Sequence, residues 1–248
     1  MPSKVLDTLA WAGDGAAHLR GLMSRLADEA FAAPSALPGW SRAHVLTHIA
    51  RNADAMVNLL TWARTGVPTP AYASDEQRDA DIETGAKRPP DVIKADVFAS
   101  SDRLAQAVRV MPEKAWTATV TNRQGLAVPA TSIPWTRARE MWIHSVDLDV
   151  GASFADFPTP MLVELITDIA GTVGGRPDCP SLRLVATDQD RSWSIGPVGP
   201  ADADAGPDAV PEVRGPAAEL AAWLAGRSKG RQLRTSAGGR APALPRWL

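Results

Sequence analysis

Glu140 and His144 stand four residues apart in the stretch WTRAREMWIHSVDLDV, residues 135–150. On a helix this spacing places both side chains on one face, about a turn apart. A carboxylate and an imidazole converging from one face can each give a lone pair to a divalent metal. Two ligands do not hold a metal tightly, so a third must come from elsewhere. The segment SRAHVLTHIARN, residues 41–52, offers His44 and His48, again four apart, and the chain has only four histidines. Spacing does not choose between these two. E-x-x-x-H is also a common chance pattern, and an ordinary core or surface histidine satisfies it equally well. The two stretches together predict a metal centre built between two helices.

Both stretches lie in segments with helical signals. Ser41 is a natural N-cap, the apolar pattern runs through Val45, Leu46, Ile49, Met56, Leu59 and Leu60, and Gly66 with Pro68 and Pro70 is a stop. Pro134 suits the start of the helix that carries Glu140 and His144 and runs out by Gly151. Two further helices are predicted over 3–30 and 91–111, with a short acidic helix over 74–84 and a hairpin-like excursion whose strands fall at 118–120 and 126–128. Four helices joined by substantial loops form a bundle, and bundles build metal sites from side chains projecting inward. After Pro158 the texture changes. A helix over 161–172, strands at 182–187, 193–195, 212–214 and 231–234, and a helix over 216–224 describe a small α+β domain. Residues 196–211 are too rich in Gly, Pro and Asp for regular structure. The fold class is α+β, with a four-helix bundle over 1–158 and a small α+β domain over 159–248.

Composition excludes several classes. A net charge of −2, from 26 basic and 28 acidic residues, gives no footprint for nucleic acid or an anionic membrane. No apolar run approaches the roughly 20 residues that span a bilayer, and the N-terminal stretch lacks a signal-peptide layout. One cysteine, Cys179, rules out an intrachain disulfide framework and a four-cysteine zinc site, and fits a reducing, cytoplasmic setting. Cys179 sits in a loop between Asp178 and Pro180 and reads as a bystander.

With GWSRAHVLTHIARNA (39–53), REMWIHSVDL (139–148), WLAGR (223–227) and PRWL (245–248), the chain resembles the mycothiol-dependent maleylpyruvate isomerases of the DinB-like metalloenzyme superfamily. The resemblance implies a DinB-like bundle, a divalent metal (usually zinc) on His48, Glu140 and His144, and no ligand role for His44. It implies that Arg227, in the C-terminal domain, is needed for activity, and that this domain contributes to the active site. A guanidinium there suits capture of a substrate carboxylate, although an ordinary charge at a helix end explains the same position. The implied reaction converts cis maleylpyruvate to trans fumarylpyruvate, in gentisate-type aromatic degradation, by a metal-activated thiolate. The thiol is a small cofactor, mycothiol or another low-molecular-weight thiol such as glutathione.

Asn52, one turn beyond His48, and Asp147, three residues past His144, are candidates to orient a ligand or touch the thiol cofactor, against the plainer reading of ordinary polar helix positions. Arg137 and Arg139 are weaker candidates for carboxylate binding. The donor set also suits iron or manganese. The expected partners are a small substrate and a small thiol, with no nucleic acid and no membrane, and a monomer is compatible with the sequence. Two other functions fit less closely: a thiol S-transferase of the same fold, and a non-catalytic helical binding module.

Overall fold

The computed structural model describes residues 3–197, 210–236 and 238–247. Most of the Gly-, Pro- and Asp-rich stretch 196–211 therefore lies outside the described residues. The chain divides into two units, Met1–Ala152 and Ser153–Leu248, six residues before the expected boundary.

The first unit carries α1 (Ser3–Ser24), α2 (Arg42–Thr65), α3 (Asp75–Gly85), α4 (Pro90–Arg109) and α5 (Ile133–Asp147). α1 packs on α5, and α2 packs on both α4 and α5. The first helix ends six residues short of its expected limit. Its last amides bond three residues back (Arg25 to Leu22 O, Leu26 to Met23 O), which tightens the turn, and a 3-10 segment, Asp28–Ala32, then inserts Phe31 into the core. α2 begins and ends where its caps predict. Ser41 Oγ accepts from the His44 amide, and Gly66 takes the left-handed conformation with φ 75°. The acidic helix is present as α3, capped by Ser74 and resting on α2. A Cβ on Gly85 would lie 2.4 Å from Thr47 Cγ2, so α3 approaches α2 as closely as glycine permits. The hairpin pairs β1 (Thr119–Thr121) with β2 (Ala127–Pro129), one residue later than expected.

One contact set aligns the two helices expected to hold the ligands. Arg42, the first residue of α2, donates from Nε to Leu148 O and from Nη2 to Asp149 O, each at 2.8 Å, and the Ala36 amide donates to Asp147 O. Carbonyls left over at the end of α5 are thus satisfied by the start of α2. Leu46, Ile49, Met141 and Leu148 pack in the same apolar cluster and fix the helix separation. Each such side chain contributes about 1.5–3 kcal/mol by leaving water.

In the second unit α6 (Thr159–Gly174) packs on α7 (Ala217–Leu224) and on a four-stranded sheet ordered β4-β3-β5-β6. The strands are β3 (Leu182–Ala186), β4 (Arg191–Ile195), β5 (Glu212–Gly215) and β6 (Arg234–Thr235). β3 runs parallel to β5, and the other two pairings are antiparallel. The last strand lies later than its expected 231–234. The Leu233 amide closes a turn onto Gly230 O, so pairing begins only at Arg234. No helix among the described residues is long and apolar enough to cross a membrane.

Candidate metal centre

His48, in the second turn of α2, meets Glu140 and His144 on α5. His48 Nε2 lies 2.8 Å from Glu140 Oε2 and 3.1 Å from His144 Nε2, and His144 Nε2 lies 3.2 Å from Glu140 Oε2. Three donor atoms thus face one point. Around a tetrahedral zinc with bonds of about 2.0–2.1 Å, neighbouring ligand atoms sit roughly 3.3 Å apart. The side chains present therefore fit a divalent ion with shifts of only a few tenths of an ångström. Two neutral imidazoles and one carboxylate are a suitable donor set, and they leave coordination positions for exogenous ligands.

His44, four residues before His48, is elsewhere. Its Nδ1 faces the Ser41 amide and hydroxyl at 3.2 and 2.7 Å, and its Nε2 faces Glu83 at 3.1 Å. It completes the capping box of α2. His18 stacks on Trp142 with ring centroids 5.0 Å apart and belongs to helix packing. Trp40 packs beside His48, with the ring centroids 5.6 Å apart.

Behind the three donors, Asp147 Oδ2 lies 2.9 Å from His144 Nδ1, and the aspartate is 1 % exposed. A carboxylate on the far nitrogen fixes the tautomer that leaves Nε2 for a metal. We expect Asp147→Asn to weaken zinc binding by about 10- to 100-fold. Competition with a chromophoric chelator measures it. Unchanged zinc affinity with a raised KM for the thiol would instead mark Asp147 as a cofactor contact. Asn52 is buried, and its Oδ1 accepts from Arg137 Nη1 at 2.8 Å. Arg137 also donates to Ile49 O at 2.9 Å, which ties α5 to the α2 backbone one turn before Glu140. Burial lowers the pKa of Arg137 to about 10, and it stays charged at neutral pH. Arg139 lies over the Trp135 ring at 5.7 Å.

Two residues near the centre carry no motif in the sequence. Arg78, on α3, points its Nη2 at His48 Nδ1 from 3.2 Å, and its guanidinium lies 5.7 Å from the ring of Tyr72, the only tyrosine. Burial, and then the nearby Glu140 charge, push the Tyr72 hydroxyl pKa up, so it stays protonated. The sole tyrosine was a composition signal. Arg78 had none, because an arginine in an acidic helix reads as surface.

The protonation pattern matches metal uptake. Burial lowers the pKa of His48 and outweighs its hydrogen bond to Glu140. Burial pushes Glu140 up, but its hydrogen bonds to His144 and His48 win and hold it well below the usual carboxylate range. Burial lowers His144, yet the carboxylates of Asp147 and Glu140 overcome this and raise it to about 9. The metal-free site therefore holds one proton that a metal must displace, the one on His144. Below pH 9 that proton competes with the ion, so the apparent zinc association constant should rise about tenfold per pH unit from pH 7 toward 9 and flatten above it. A chelator titration across that range checks the slope.

Arg227 follows α7 in the second unit. Its amide donates to Ala222 O and its Nη1 to Ala225 O, and its side chain is exposed. Cys179 is the one cysteine. Burial and then the neighbouring Asp178 carboxylate raise its thiol pKa, which keeps it un-ionised as expected.

Comparison with known proteins agrees over both units. The family described as mycothiol maleylpyruvate isomerase N-terminal domain matches residues 12–149, and that described as its C-terminal domain matches residues 156–246. No curated protein sequence matches the chain. Among solved structures, a crystal structure of the mycothiol-dependent maleylpyruvate isomerase is 33% identical, with a TM-score of 0.88, covering 100% of this chain and 98% of that one. A crystal structure of a histidine-to-alanine mutant of that enzyme matches with the same values. With both units matched in order and a third of its residues shared along the full length, this chain belongs to the mycothiol-dependent maleylpyruvate isomerase family.

Proposed function

We propose that the chain converts maleylpyruvate to fumarylpyruvate with mycothiol as a catalytic thiol and a divalent ion, zinc, on His48, Glu140 and His144. The observation that carries this reading is the convergence of those three donors in a chain similar to the isomerase along its whole length. Zinc is favoured because two imidazoles and one carboxylate with an open position suit a catalytic zinc site.

When bound, the ion and the thiol together supply a thiolate whose reversible addition turns the cis double bond into a rotatable single bond, and whose loss leaves the trans product. The chain's residues prepare for this. Glu140 is already ionised and His48 already neutral, so neither has to lose a net proton to take up an ion at neutral pH. Asp147 accepts a hydrogen bond from His144 Nδ1–H and keeps Nε2 directed at Glu140 and His48. Burial and the Asp178 carboxylate push the Cys179 thiol pKa up, which makes it a poor nucleophile at neutral pH, in keeping with a sulfur supplied by the cofactor.

Turnover with limiting mycothiol tests this reading. The zinc-loaded protein is expected to convert many equivalents of maleylpyruvate per equivalent of mycothiol, leaving the thiol intact. Consumption of one thiol per turnover would make it an S-transferase. No conversion and no stoichiometric metal would make it a binding module.

A further inference from the structure

In the first unit α1 packs on α5 and α4 packs on α2, and a groove of about 330 Å³ is left between α1 and α4. Its walls are apolar: Leu9 comes from α1, Leu104 and Val108 from α4, and Ile133 from the start of α5. Gly13 opens the α1 side, where an added Cβ would meet nothing within 4 Å. None of His48, Glu140 and His144 lines the groove.

One lining residue departs from this apolar character. Arg137 is 4% exposed, and its hydrogen bonds to Ile49 O and Asn52 Oδ1 both leave from Nη1. Nη2 is buried and has no partner. Nε donates to no described residue, so the Nε–Nη2 edge of the fork is free. No carboxylate pairs with this guanidinium among the described residues; burial outweighs the through-space pull of Glu140 and Asp54. A buried cation without a paired anion is costly, and an unmet buried donor adds to the cost. Bracing α5 on α2 uses Nη1 alone and leaves that cost unexplained.

Apolar walls with one buried cation are complementary to a small amphipathic carboxylate. Small-molecule sites have this composition, mostly apolar with a few placed polar groups. The free edge of a guanidinium takes a carboxylate in two parallel hydrogen bonds. An apolar cavity of about 150 Å³ holds a benzene, so the groove has room for roughly ten to twelve heavy atoms. We propose that the α1–α4 groove binds an amphipathic monocarboxylate, with its chain against Leu9, Leu104, Val108 and Ile133 and its head on Arg137. This site is separate from the metal centre and does not depend on the isomerase reading.

The test is calorimetric titration of the full, zinc-loaded chain with octanoate and with 1-octanol, which has the same chain and no charge. Octanoate is expected to bind once per chain, and 1-octanol about 10- to 100-fold more weakly. Gly13→Leu fills the groove, suits a helix and leaves the metal ligands alone, so it should abolish octanoate binding with zinc content unchanged. Arg137→Met should remove the preference for octanoate over 1-octanol. Arg109→Met, which changes the exposed arginine at the rim, should keep it. The proposal is overturned if octanoate does not bind, or if both ligands bind equally. It is overturned too if octanoate binding survives Gly13→Leu, since the carboxylate would then sit on the metal or elsewhere. Loss of the preference in Arg109→Met but not in Arg137→Met would place the head at the rim and also overturn it. If Arg137→Met fails to fold once the α2–α5 brace is gone, the wild-type preference and Gly13→Leu decide.

Discussion

Glu140→Gln is expected to lower thiol-dependent turnover by about 10³- to 10⁴-fold and to abolish stoichiometric zinc. Two effects combine. A free thiol with a pKa of about 8.5 is only a few per cent ionised at pH 7, so losing the metal costs about 30-fold in thiolate. Losing the fixed positive charge that stabilises the developing enolate and positions the sulfur costs a further ~10²-fold or more. The second effect is the larger, so raising the pH should restore only a minor part of the activity. Glu140 is the ligand to change because it is the anion between two histidines, 2.8 Å from one and 3.2 Å from the other. Glutamine can keep a hydrogen bond there but not the charge. Kinetics at saturating mycothiol, with zinc measured on the same sample, check this. Turnover within tenfold of the parent would remove Glu140 from the metal site.

The second large effect is expected at Arg227, where structure and resemblance point different ways. The position alone is an exposed arginine just past a short helix, with Gly226 in the left-handed conformation at φ 71° before it. On that reading Arg227→Ala changes stability by less than about 0.5 kcal/mol and turnover hardly at all. The family resemblance implies that the guanidinium is needed for activity. Loss of a bidentate, charge-assisted carboxylate contact costs about 10²- to 10³-fold in kcat/KM. We expect the second outcome in turnover together with the first in stability. Arg227→Lys should rescue little, since an ammonium lacks the fork. Thermal unfolding and steady-state kinetics on the two variants separate the readings.

The clustering of the candidate site was in large part legible because helical periodicity is a strong signal. Glu140 and His144 share a helix, and Asp147 falls one turn beyond His144, so three of the four residues in the triad and its support follow from spacing on α5. The choice of His48 over His44 did not follow from spacing, yet the chain did contain a clue. Once Ser41 is the N-cap, the residue three positions on is poised to face back toward the cap, and His44 is engaged there. The helix ends of α2 were readable from Ser41 and Gly66, since caps are local chemistry. The placement of Arg78 beside His48 was hidden because it depends on α3 lying against α2 at Gly85, a tertiary contact that no local pattern encodes. The parallel pairing of β3 with β5 was hidden for the same reason, as was the late start of β6, which a turn at Gly230 decides.

The most direct test of the central claim is zinc K-edge X-ray absorption on the zinc-loaded protein, with and without mycothiol. Without thiol the account predicts a shell of nitrogen and oxygen only, since the one cysteine of the chain is not part of the cluster of His48, Glu140 and His144. With mycothiol it predicts one added sulfur at about 2.3 Å. A spectrum unchanged by mycothiol would contradict the account, because the metal would then not be what activates the thiol.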